Sequence, residues 1–396
     1  MIEPLLAQEW PQWRGPSRDG RVDALAVPAS WPGSLTRSWT LRVGEGHASP
    51  VVASGRVFVF SRETGREVVR ALALATGAEL WRNSYVADYA VMPEASSHSA
   101  GPKATPLVDD QRLYTFGISG VLSCFDIPTG TLRWRIDTAR QFDKRPLVYG
   151  MSVSPLLYRD LLIVHVGHEK RGALVAFDAA TGKERWRWDG GSPSHASPVI
   201  IDVAGVSQIV CLSYRSIVGI AAESGALLWQ IPHAAVNMPH AVTPVIYRDT
   251  FLVSGFSQGI TAFRILKRAD GWTTEEVWKN SALSISMATP VVSGDLLFGL
   301  ADRKMGQFFC LDARTGETKW TSTGREGETA ALLATDRHLL VLKEDGSLVI
   351  ARTDDRGFEP VARYQVADNP VWSLPAVIGR RIFVKDAQSL AAWQWR

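Results

Sequence analysis

ALVAFDAATGKERWRW, from Ala173 to Trp188, reads as two strands joined by a tight turn. An apolar strand leads to Asp178, Thr181-Gly182 makes the turn, and a second strand carries Trp186. A glycine at that point supplies the positive φ of a tight hairpin, and the residues flanking it favour extended backbone. The unit recurs. SCFDIPTGTLRWR ends near Trp134, ALALATGAELWR near Trp81 and CLDARTGETKW near Trp320, while GIAAESGALLWQ near Trp229 is looser and DGWTTEEVWK near Trp278 degenerate. In the better copies the tryptophan follows the turn glycine by four residues.

Upstream of each unit lies another strand pair that opens on a small residue and proline. These starts are Ser49, Thr105, Ser154, Ser197, Thr243 and Thr289. Proline fits only the first residue or the edge of a strand, so it marks where each inner strand begins. A seventh copy from Ala330 lacks the proline, and an eighth from Leu374 keeps it but ends before its last strand. Eight units of four strands predict an all-β chain folded as an eight-bladed β-propeller, a ring that leaves only short protected edges. SLTRSWTLRV, with Trp39, is the expected donor of the missing strand and would close the ring. Residues 1–36 are expected to form a lead-in strap and 37–396 a single propeller.

The pattern A-x-D-A-x-T-G-x-x-x-W, nearly complete at Ala176, Asp178, Thr181, Gly182 and Trp186, resembles the tryptophan-docking repeat of the PQQ-like superfamily. That superfamily includes alcohol dehydrogenases carrying pyrroloquinoline quinone (PQQ) and the cofactor-free outer-membrane protein assembly factor B family. WPQWRGPSRDG, from Trp10 to Gly20, is similar to the lead-in of exported bacterial members. The resemblance implies the fold, but fold alone does not fix chemistry. It also implies that the tryptophans are scaffold, each docking on the next blade. The strap is likewise expected to pack on the propeller wall, with a ligand shelf at Trp10, Trp13 and Arg14 as the alternative.

Composition narrows the function. The 396 residues carry a formal charge of +3 without any Lys/Arg-rich run, which argues against nucleic acid as a partner. No apolar stretch approaches the roughly 20 residues of a transmembrane helix. LLAQ, with Ala7 at the small-residue position, resembles the end of a signal peptide, so residues 1–7 are read as a remnant and the protein as periplasmic or secreted. Cys124, Cys211 and Cys310 are isolated and form no CxxC pair, which supports neither a zinc site nor a disulfide framework. A monomer is expected.

Candidate site residues come from one column. The residue three before each strand-opening proline should reach the central channel. These positions hold His47, Lys103, Ser152, His195, Ala241, Met287, Thr329 by alignment, and Trp372. A fixed structural position would be expected to converge on one residue type; here it diverges, as a ligand site built by radial symmetry would need, or as solvated, unconstrained rim positions would allow. Long connections from Arg82 to Ala104 and from Ile136 to Gly150 lead to the same face and add His98, Arg145 and Tyr149; QIPHAAVNMPHAVT adds His240. No metal site is expected, because the histidines lack a ligand spacing and HVGH (His165, His168) lacks the glutamate of a zincin. No GxSxG elbow supports a serine nucleophile.

The expected function is therefore a non-catalytic propeller, without cofactor, that binds a protein partner or small ligand on the loop-rich face. The alternative is a PQQ-dependent oxidoreductase acting on alcohols or sugars with calcium. Lys103, Arg145 and Trp372 would clamp and floor the quinone, but the column has no Asp or Glu. The adjacent cysteine pair of the dehydrogenase branch is also absent.

Overall fold

The computed structural model describes residues 9–22, 25–96, 98–142, 147–168 and 170–395. They form eight four-stranded antiparallel sheets. The inner strands are short and begin directly after the prolines, as at Val51–Ala53, Leu156–Tyr158, Val245–Tyr247 and Val291–Ser293. The proline therefore costs no ladder hydrogen bond. Thr36–Arg42 pairs with Ser389–Gln394 and completes the last sheet, so the amino-terminal strand closes the ring.

Each signature tryptophan faces a small residue on the neighbouring strand: Ala71 opposite Trp81, Cys124 opposite Trp134, Ala176 opposite Trp186, Cys310 opposite Trp320. A register shift follows every such pair and bends the outer strand. The indole then reaches the next blade. A Cβ added at the turn glycine would strike it: Trp81 at Gly130, Trp134 at Gly182, Trp186 at Gly225, Trp278 at Gly316. The indole N–H donates to a carbonyl beside that turn, as in Trp81 to Ile127 (2.8 Å) and Trp186 to Ala222 (3.0 Å). Trp229 is the exception. The following unit is the degenerate DGWTTEEVWK, and Trp229 turns back to Gln208 Oε1 at 2.7 Å.

The core is distributed between blades rather than central. Buried clusters join adjacent sheets, for example Phe58, Val69 and Ala71 with Leu113 and Phe125. The three cysteines are free and buried in these layers, and burial pushes each thiol up to about 12, so they are packing groups rather than nucleophiles.

The small residue before the proline has its own task. The Ser49 N–H donates to Thr105 Oγ1, Thr105 to Ser154 Oγ, Ser154 to Ser197 Oγ, Ser197 to Thr243 Oγ1 and Thr243 to Thr289 Oγ1, at 3.0–3.4 Å. Leu374 N–H donates to Ser49 Oγ at 2.8 Å. This hydroxyl belt ties blade to blade around the channel. Ala331 stands at the equivalent point of the seventh blade, the same copy that lost its proline, and has no hydroxyl to offer.

Candidate functional site

The strap crosses the channel. Trp10 pairs with Val52 of the first blade and Arg21 with Ala334 of the seventh. Between them Arg14, fully buried, donates to the carbonyls of Asp19, Thr289 and Pro290. Arg18 donates to Ser154, Pro155 and Pro198. Two guanidiniums thus satisfy carbonyls from several blades at once, which a planar fork of donors does well. The sequence placed this segment on the propeller wall; it lies instead across the axis, and Trp13 and Arg14 floor a cavity above it.

That cavity has a volume of about 240 Å³ and holds all eight positions of the sequence column. Ring order arranges them. Trp372, His47, Lys103, Ser152 and His195 belong to five consecutive blades, the eighth through the fourth, and make an aromatic and basic half-ring. Ala241, Met287 and Thr329 fill the other three, where Met238, Pro239 and Ala288 extend an apolar wall. Lys103, on the second blade, therefore stands across the axis from Met287, on the sixth.

The long loops supply His98, Tyr149 and Met238 to the same cavity. His98 lies edge-on to Trp372 and Tyr149, with ring centroids 5.1 and 5.2 Å apart. His47 is 5.7 Å from Trp372, and Tyr149 5.6 Å from His195. These contacts link the half-ring into one aromatic arc. Two candidate residues stand apart. His240 does not line the cavity; it stacks on His233 at 4.7 Å, and its carbonyl accepts from His195 and Ala196. Arg145 lies outside the described residues.

Burial governs the electrostatics. His47 and His195 are pushed down to about 3, mainly by loss of solvent and further by Lys103 and His98. Both are neutral at physiological pH. Lys103 is itself lowered to about 8 by burial; its Nζ donates to the Tyr149 carbonyl at 2.7 Å and sits 5.6 Å from that ring. Lys385, buried and also acting to lower the pKa of His47, is held by the carbonyls of Gly46 and Asp386. The Nε2 of His47 is buried without a hydrogen-bond partner among the described residues.

One contact was not legible beforehand. Ser152 Oγ and His195 Nδ1 lie 2.6 Å apart. A catalytic serine needs a base with pKa near the working pH, and a histidine held near 3 does not meet that need. No local spacing in the sequence marks such a pair; only adjacency of two column positions on neighbouring blades signals it.

Calcium with PQQ is also poorly matched. Calcium takes six to eight oxygen ligands with carboxylates among them. No Asp or Glu among the described residues lines the cavity, and no group of three or more His, Cys, Asp or Glu among them is arranged so that it could hold a metal ion. The hydroxyls of Ser154, Ser197, Thr243 and Thr289 already accept inter-blade N–H bonds. The residues present do not fit the quinone–calcium pair.

A family model described as outer membrane protein assembly factor BamB matches residues 65–322. The chain belongs to the BamB family. BamB of Shewanella oneidensis is 20% identical over 377 residues, covering 88% of this chain and 86% of that protein. A quinohemoprotein alcohol dehydrogenase, ADH-IIG of Pseudomonas putida, is 28% identical over 165 residues, which are 39% of this chain. That match spans only 21% of the dehydrogenase. The solved quinohemoprotein alcohol dehydrogenase of Comamonas testosteroni superposes with a TM-score of 0.72 at 13% identity, over 99% of this chain and 81% of that one. At that identity the likeness is one of fold. No helix among the described residues is long and apolar enough to cross a membrane.

Proposed function

We propose that this BamB-family propeller is a non-catalytic, exported monomer that captures a ligand in the channel cavity on its loop-bearing face. The observation carrying this reading is the cavity wall. Eight positions that open equivalent strands diverge into a basic aromatic half and an apolar half, and no carboxylate of the described residues lies among them. Such a surface recognises by shape and charge but offers neither a metal ligand set nor a working general base.

The quinoprotein alternative rests on the 165-residue match to the dehydrogenase. One assay separates the two. The purified protein is incubated with PQQ and calcium, and its melting temperature and alcohol- or glucose-dependent dye reduction are recorded. The binding reading expects neither a calcium-dependent rise in melting temperature nor dye reduction. Both together would overturn it.

A further inference from the structure

We propose that the channel cavity takes a small organic anion, with its carboxylate at Lys103 and a planar apolar body reaching toward Met287. The inference rests on the binding function above and names its ligand class. Three observations point there. First, the charge is one-sided: among the described residues, Lys103 and Arg14 are the cationic ones lining the cavity, and no acidic side chain joins them.

Second, the two cations are not equally available: Arg14 is held in the floor by three of its five N–H donors, whereas Lys103 is anchored by one of its three. The Arg14 guanidinium donates to carbonyls of the strap and sixth blade, and the Lys103 ammonium to that of Tyr149. Third, the apolar wall lies across the axis from it. Met238, Ala241 and Met287 offer a soft, adaptable face there, while Trp372, in the half-ring that holds Lys103, offers a flat one. A ligand charged at both ends would bury a charge against methionine, and a wholly apolar one would leave the ammonium desolvated without a partner. An anion with one apolar end satisfies both walls.

The groups facing Lys103 are His47, His98, His195 and Tyr149, with Glu328 influencing His98 from the loop beyond. The histidines are displaced toward their neutral forms, so they add hydrogen-bonding surface and little competing charge. Because Lys103 is lowered to about 8, an anion that needs its proton should bind more weakly in alkali.

The test is calorimetric titration of the full chain with 2-naphthoate and with the isosteric neutral 2-naphthamide. The acid should bind at least about tenfold more tightly than the amide, the ratio expected for one charge-assisted hydrogen bond. That preference should shrink between about pH 7 and about pH 9.5, across the lowered lysine pKa. Lys103→Met should abolish the preference while leaving amide binding in place, a readout that a merely unfolded variant would fail. Met287→Glu should weaken the acid more than the amide. Equal affinity for acid and amide, or no binding of either, would overturn the assignment. Failure of the non-catalytic reading has a separate signature in the same instrument: PQQ binding that requires calcium.

Discussion

His47 and His195 occupy the same place in two copies of HASPV, and the backbone explains half of the coincidence. Each N–H donates across the blade boundary, His47 to Pro102 at 2.8 Å and His195 to His240 at 2.7 Å. The side chains explain the other half, since both rings enter the cavity. Keeping them neutral has a thermodynamic consequence. The unfolded chain takes up protons near the ordinary histidine value of 6.5, whereas the folded chain resists until about 3. The unfolded state therefore binds more protons in between, and stability falls as pH drops through that window. His165 and His233, pushed to about 4 by burial, steepen the same slope. Urea unfolding between about pH 6.5 and about pH 4.5, above most carboxylate titrations, reads it. His47→Gln with His195→Gln should flatten the decline; an unchanged slope would show that these rings are not the proton acceptors.

The repeating element was legible because its constraints are local. A turn glycine, a tryptophan four residues on and a proline at the inner strand each carry a backbone reason that sequence displays. The glycine's second reason, contact with the preceding blade's indole, appears only in three dimensions. Gly182 and Gly205 separate the two. Both have positive φ, +73° and +77°, but a Cβ at Gly182 would lie 2.8 Å from Trp134 whereas nothing lies within 4 Å at Gly205. Alanine at either site should cost about 1 kcal/mol of backbone strain. Gly182→Ala should cost about 1–3 kcal/mol more for displacing the indole. Equal losses on denaturant unfolding would mean that the indole contact adds nothing. The hydroxyl belt was half-legible: the small residue before proline was visible, but its role as acceptor from the neighbouring blade needs the ring.

At the scale of the whole molecule, the column of channel residues was readable because radial repetition converts a sequence offset into a shared location. Ring order could then divide it into two walls. The strap was not readable in this way. WPQWRGPSRDG has no repeat to align with, and its path is set by carbonyls of blades more than 130 residues away, such as Ser154 and Thr289. His240 misled for a related reason, since a loop residue near the column need not share its direction. BamB-family membership and the dehydrogenase-like superposition agree on the scaffold. The cavity wall distinguishes what the scaffold is used for. If that wall exists for a ligand, its side chains are dispensable to the fold. The most direct measurement is the melting temperature of the triple variant His47→Ala, His195→Ala, Trp372→Ala. It should stay within about 2 °C of the parent, equivalent to no more than about 1 kcal/mol in a chain of this size. A drop beyond about 10 °C on the same scale would make these residues part of the scaffold and contradict the account.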